Sequence, residues 1–231
     1  MSLSTLPQAV TAIGGLGTAA FGLLEAVKPV FPGINHIGFT RISATIYSLT
    51  PEEAGAGQPL NALPQSSILD SLRANWISGT ELNNQKSIAK SLIKLHLSAG
   101  NAPALAATTN VDPVLLTEVA KSIVSATALT QQQGDAYARF DLIVTALIDE
   151  AYQHADQVYR NSTRGIAALI AVALAFTGGL CLAGSWHAFW WTTDMFISLL
   201  IGLLATPLAP IAKDISSALT SAVNTMQTVK R

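Results

Sequence analysis

Four histidines, His36, His96, His154 and His187, are the first candidates for chemistry, and they stand far apart in the chain. Glu150 and His154 lie one helical turn apart, so they could share a proton or a ligand. A single such pair on a solvated helix is the ordinary surface arrangement. Cys181 is the lone cysteine and sits in an apolar run, where a thiol serves as a small hydrophobe; it has no partner for a disulfide or a metal site. Asp141, Asp149, Glu150 and Asp156 make one helix acidic without sharing a face. Lys86, Lys90 and Lys94 recur every fourth residue and form a basic ridge, suited to a lipid headgroup or protein partner if it is not simply solvated. Glycine-rich phosphate loops and a nucleophile with its base and orienting group are absent from the pattern. The expectation is a protein that is not an enzyme, with no cofactor and no metal.

The charge distribution says more than these side chains do. Hydrophobic residues make up 50% of the 231, charged residues only 12%, and mean hydropathy is +0.41. A net charge of −1 lacks the basic excess of a nucleic-acid binder. From Gly165 to Trp191 and from Met195 to Ala212 there is no Asp, Glu, Lys or Arg, whereas residues 41–164 hold most of the charge. That division is expected of an all-α integral membrane protein with a water-exposed helical domain.

Gly165–Gly184 is an apolar run of about 20 residues, which a helix extends to roughly 30 Å, the thickness of a bilayer core. Met195–Ala212 is just long enough to cross, with Pro207 and Pro210 expected to kink it or to mark its exit. These runs predict a transmembrane hairpin over residues 161–212. Ala9–Val27, within residues 1–28, is a third candidate, a transmembrane or re-entrant helix diluted by glycine. No Lys or Arg precedes Lys28, so the basic start of a signal peptide is missing.

The connector carries Trp186, Trp190 and Trp191, whose indoles suit the membrane interface, and it has no basic residue. Arg160, Arg164 and Lys213 flank the other side. The positive-inside bias therefore places the turn outside and residues 29–160 in the cytoplasm, with a bacterial inner membrane as the expected location. No charged side chain lies at mid-depth, which argues against a proton relay or transporter site.

Small residues recur where helices could meet. Ala167, Ala171, Ala175, Gly179 and Ala183 form a stripe at four-residue steps, and Gly14, Thr18 and Gly22 repeat the pattern near the N-terminus, with Gly15 and Ala19 beside them. Such stripes let backbones approach closely, which replaces the hydrophobic driving force that lipid does not supply. They predict packing within the chain or between copies.

Residues 29–160 read as helices. Phe39, Ile42, Ile46 and Leu49 have helical spacing; Ser66 or Ser67 can cap a segment with Leu69, Leu72 and Trp76; the next buries Ile88, Leu92 and Leu95. Asp112-Pro113 is a cap with proline at the first helical position, and Thr130 with Gln133 is a capping box. The helix after it bears Tyr137, Phe140, Val144, Leu147, Ala151, Ala155 and Val158 on one stripe and can continue into the first span. Residues 213–231 are expected to form an amphipathic tail helix. Together these features predict a membrane anchor or scaffold that self-associates through small-residue faces and docks a protein partner through its helical domain. An oligomeric pore is the alternative.

Overall fold

The structure is a computed structural model describing residues 5–51 and 63–210; among these residues there is no strand. Its helices are α1 (Thr5–Val27), a 3-10 turn (Pro32–His36), α2 (Phe39–Leu49), α3 (Gln65–Ile77), α4 (Leu82–His96), α5 (Ala102–Thr109), α6 (Pro113–Val124), α7 (Gln131–Ala183), α8 (Trp186–Phe189) and α9 (Thr193–Pro210). Two compact units divide them: residues Asn35–Tyr159, and Met1–Ile34 together with Arg160–Arg231. The N-terminal segment thus belongs with the C-terminal apolar helices. Helix α7 is continuous, and Asn161-Ser162-Thr163 does not interrupt it.

In the unit Asn35–Tyr159, α2 buries Phe39, Ile42, Ile46 and Leu49, the face that its spacing announces. Helix α3 starts at Gln65 behind Pro64 and has no side-chain cap, so neither Ser66 nor Ser67 plays that part. Instead the Gln65 amide donates to the Thr50 carbonyl at 2.5 Å and tethers α3 to the end of α2. Helix α4 is turned relative to expectation: Leu95 is 63% exposed, and the inward stripe is Gln85, Ala89, Ile93 and His96. Polar ends can face inward because backbone carbonyls receive them. Gln85 Nε2 donates to Thr80 O at 2.6 Å, and the His96 ring nitrogens lie 3.0 and 3.1 Å from Leu63 O and Pro51 O. A neutral imidazole can donate from only one of those nitrogens.

Both expected caps are present. Asp112 Oδ1 accepts from Val114 N at 2.8 Å and Leu115 N at 3.0 Å, with Pro113 opening α6. Thr130 N donates to Gln133 Oε1 at 3.0 Å, and Gln133 N donates to Thr130 Oγ1 at 3.3 Å, the reciprocal pair that satisfies two orphan donors. Gln133 Nε2 also reaches Glu118 Oε2 at 3.1 Å, tying α6 to α7. On α7, Phe140, Val144, Ala151 and Ala155 are buried as expected, and Ala136, Ile148 and Tyr152 join them. Tyr137 and Leu147 pack only at the edge of the core.

Two glycines of this unit hold backbone conformations that other residues disfavour. Gly38 (φ +89) starts α2, and a Cβ there would stand 2.5 Å from the Ala155 carbonyl oxygen. Gly79 (φ +70) follows α3 and has open space around it. Gly79→Ala should therefore cost about 1–2 kcal/mol, the left-handed penalty alone. Gly38→Ala adds a backbone collision and should cost about 2–4 kcal/mol. Thermal unfolding of the full chain in mild detergent, followed by near-UV circular dichroism, checks the order; equal losses would contradict the close approach of α2 to α7.

In the other unit, three helices are long and apolar enough to cross a membrane: Val10–Val27 of α1, the later part of α7, and Thr193–Pro210. Helix α9 begins two residues before the expected Met195 and runs through Pro207 to Pro210; Ile211 and Ala212 lie outside the described residues. A helical turn, Trp186–Phe189, occupies the connector.

Candidate functional site

Where α1, the later turns of α7 and α9 meet, the side chains are small, and many of the large ones face outward. Ala20, Ala171 and Ala205, each with no exposed surface, form the meeting point of the three helices, flanked by Ile13, Leu16, Ile170 and Leu174. Leu182 is 91% exposed, and Leu169, Phe196, Leu200 and Leu203 also face outward. A water-soluble bundle does the opposite.

Glycine sets the distances. A Cβ on Gly202 of α9 would lie 2.5 Å from Val172 Cα of α7. One on Gly179 would run into Ser198 Oγ and stand 2.8 Å from Phe189 Cε2. These contacts fall in reverse order along α7 and α9, so the two run antiparallel. A Cβ on Gly17 of α1 would collide with the Ala205 carbonyl, with Ala209 Cβ 3.0 Å away. Such approach distances are how helices associate where apolar burial gives no net gain.

The α7 stripe faces this junction: Ala167 and Ala171 are buried, and Ala175, Gly179 and Ala183 are half-buried. The α1 stripe divides. Gly14 is buried, but Thr18 and Gly22 are exposed, and Gly17, Ala20 and Leu24 complete the inward face. From Gly14 the inward face continues by a three-residue step rather than four, because that rotation brings Leu24 inside. The Thr18 hydroxyl donates to Gly14 O at 3.1 Å and needs no neighbour. Sequence reading missed the face of α9, where Met195, Ser198, Gly202, Ala205 and Ala209 are all buried. Their spacing of three, four, three and four was the available signal.

Trp186, Trp190 and Trp191 are exposed, with Trp186 and Trp190 edge to face at 5.3 Å. Beneath them Phe189 is buried against Phe176, with ring centroids 5.5 Å apart. Arg160 and Arg164 are exposed, and Cys181 is exposed on α7. Lys213 and the tail, residues 213–231, lie outside the described residues.

The basic ridge is not a free surface. Lys86 Nζ lies 3.2 Å from Asp149 Oδ1, and Lys94 Nζ lies 2.6 Å from Asp141 Oδ1; Lys90 stands half-buried between them. The ridge is the seam between α4 and α7, matched to acidic residues two turns apart on the partner helix. The sequence hides this because the carboxylates come 63 and 47 residues later. Lys86 and Lys94 of the expected lipid or partner contact are thus engaged within the chain. Glu150 and His154 are both exposed, and no group of three or more His, Cys, Asp or Glu able to hold a metal occurs among the described residues.

No protein-family model, no curated protein and no solved structure matches this chain.

The hydrogen bond that Lys94 donates to Asp141 raises the Lys94 pKa, with burial opposing it. Burial alone raises that of Tyr152, whose hydroxyl has no hydrogen-bond partner. Both folded values exceed the unfolded ones, about 10.4 and 10, so both contributions are complete below those values and are lost as pH rises through the folded ones. Tyr152→Phe should leave neutral-pH stability unchanged or higher and flatten the alkaline decline. Lys94→Met should also flatten it, at a neutral-pH cost of about 0–1 kcal/mol for a half-exposed pair. Unfolding between pH 7 and 11 tests this; an unchanged alkaline slope in both variants would refute it. At the junction, Gly202→Leu should lower the melting temperature by several degrees in detergent, the response expected of an overpacked interface. Gly178→Leu, where nothing lies within 4 Å, should not.

Proposed function

We propose that this chain is a non-enzymatic membrane scaffold whose three apolar helices cross the bilayer and whose copies associate through the outward face of α1. The observation that supports the reading most is a pair of glycines on one face of α1 that the chain itself leaves uncovered, as it also leaves Gly165 and Gly178 of α7. Gly15 and Gly22 have nothing within 4 Å, and Thr18 and Ala19 between them are exposed. A glycine in a helix interior costs roughly 1 kcal/mol against alanine. Gly17, Gly179 and Gly202 offset that cost by close packing inside the unit; Gly15 and Gly22 have no such contact within the chain. A second copy would supply one. In this reading the connector tryptophans lie at the outer interface, and Arg160 and Arg164 lie on the cytoplasmic side with the helical unit, which is left to dock a protein partner.

A pore is the less favoured reading, since the junction of the three helices is filled by alanine. It would require a channel between copies.

Light scattering in mild detergent, corrected for bound detergent, should give more than one copy for the full chain. Gly22→Ile should shift it to a single copy without lowering the melting temperature, since that glycine touches nothing within the chain. A monomeric parent, or an oligomer indifferent to Gly15→Ile and Gly22→Ile, would overturn self-association through α1. Dye release from liposomes by the reconstituted oligomer would favour the pore.

A further inference from the structure

The unit Asn35–Tyr159 holds a cavity of about 300 Å³ that none of the preceding roles uses. Its walls include the rings of Trp76 and Tyr159, edge to face at 6.0 Å, and the side chains of Glu81, Gln85 and Asp156. Trp76 is fixed in place by donating its indole N–H to Asn35 O at 3.0 Å. None of the lining residues is basic.

Gln85 makes this more than a surface dent. It is 3% exposed, and its Nε2 donates to Thr80 O at 2.6 Å, which fixes the orientation of the amide. Its Oε1 is buried without a hydrogen-bond partner. A buried acceptor left unpaired carries a desolvation penalty that a donor would relieve. Glu81, the residue preceding α4, is exposed at the rim and makes no side-chain capping bond. An acceptor, a carboxylate and two aromatic rings share one requirement: a cation that carries N–H donors and a short apolar stem.

We propose that this cavity binds a primary alkylammonium group, with an N–H donated to Gln85 Oε1, the charge facing Glu81 and the stem against Trp76 and Tyr159. The site does not depend on the scaffold reading, because every wall comes from the one unit. The same chemistry occurs on a free amine and on an ethanolamine lipid headgroup.

The full chain with Trp186, Trp190 and Trp191 replaced by Phe leaves Trp76 as the single tryptophan reporter. At constant ionic strength, n-propylammonium should change its emission saturably. n-Propanol, which lacks the charge, and tetramethylammonium, which lacks N–H donors, should act at least roughly ten-fold more weakly. Glu81→Gln, at an exposed position that leaves folding intact, should weaken propylammonium by roughly ten-fold. Gln85→Leu should abolish the response. In nanodiscs, loss of the propylammonium response with ethanolamine lipid but not choline lipid would support the site with the headgroup as its source. An equal response in both would support it with a soluble amine as the source. A linear, unsaturable response, an equal response to propanol, or an unchanged affinity in Glu81→Gln would overturn the proposal.

Discussion

The apolar unit depends on how closely two backbones can approach without a Cβ between them. At Gly17, Gly179 and Gly202 the neighbouring helix occupies the place a side chain would need, and Ala20, Ala171 and Ala205 fill the remaining centre. Dispersion and close helix contact grow steeply as this separation falls, while large apolar side chains gain nothing from leaving a hydrocarbon environment. At the junction small residues therefore go inward and many large ones outward, while Leu24, Phe189 and Met195 are buried beside it. The same rule explains why α7, whose N-terminal turns bury Phe140, Ile148 and Tyr152, buries only alanines in its later ones. One continuous helix carries two patterns of burial.

The unit Asn35–Tyr159 follows the opposite logic. Its core is aliphatic and aromatic, and its helix ends are satisfied by Asp112, by the Thr130–Gln133 box and by buried polar side chains that reach backbone carbonyls. Gln85 and His96 bury polar atoms inside α4 because those carbonyls were available, and the lysines beside them are turned onto the aspartates of α7. Polar groups are thus used for register: two ion pairs set in reverse order fix how α4 lies along α7. The Tyr152 hydroxyl and Gln85 Oε1 are left without partners. The first is accounted for by the value of its ring to the core. The second belongs to a residue that lines a cavity.

Much of this was legible. The apolar faces of α2 and α7, the two caps on α6 and α7, and the three apolar helices all follow from local spacing and residue type, since each depends on residues within a turn or two of one another. The errors share a cause as well. Leu95 read as buried because helical periodicity gives a face but not its rotation; a shift of one residue turns it by about 100°. The stripe of Gly14, Thr18 and Gly22 was read as packing within the chain or between copies; within the chain only Gly14 is buried, because steps of three and four from it fit equally well. The lysine ridge read as open because the carboxylate partners of Lys86 and Lys94 come 63 and 47 residues later in the chain.

The sequence by itself determined which segments are helical, where α6 and α7 begin, which helices are apolar enough to cross a membrane, and that small residues would mediate their packing. These are properties of short stretches, set by backbone hydrogen bonding, capping and composition. Only the tertiary structure decided which small residues are used within the chain and which remain uncovered, that the basic ridge is an internal seam, and that Trp76, Tyr159, Glu81 and Gln85 share one cavity. Those outcomes depend on rotation about helix axes and on pairing between distant segments, and neither is encoded in the spacing of any one segment.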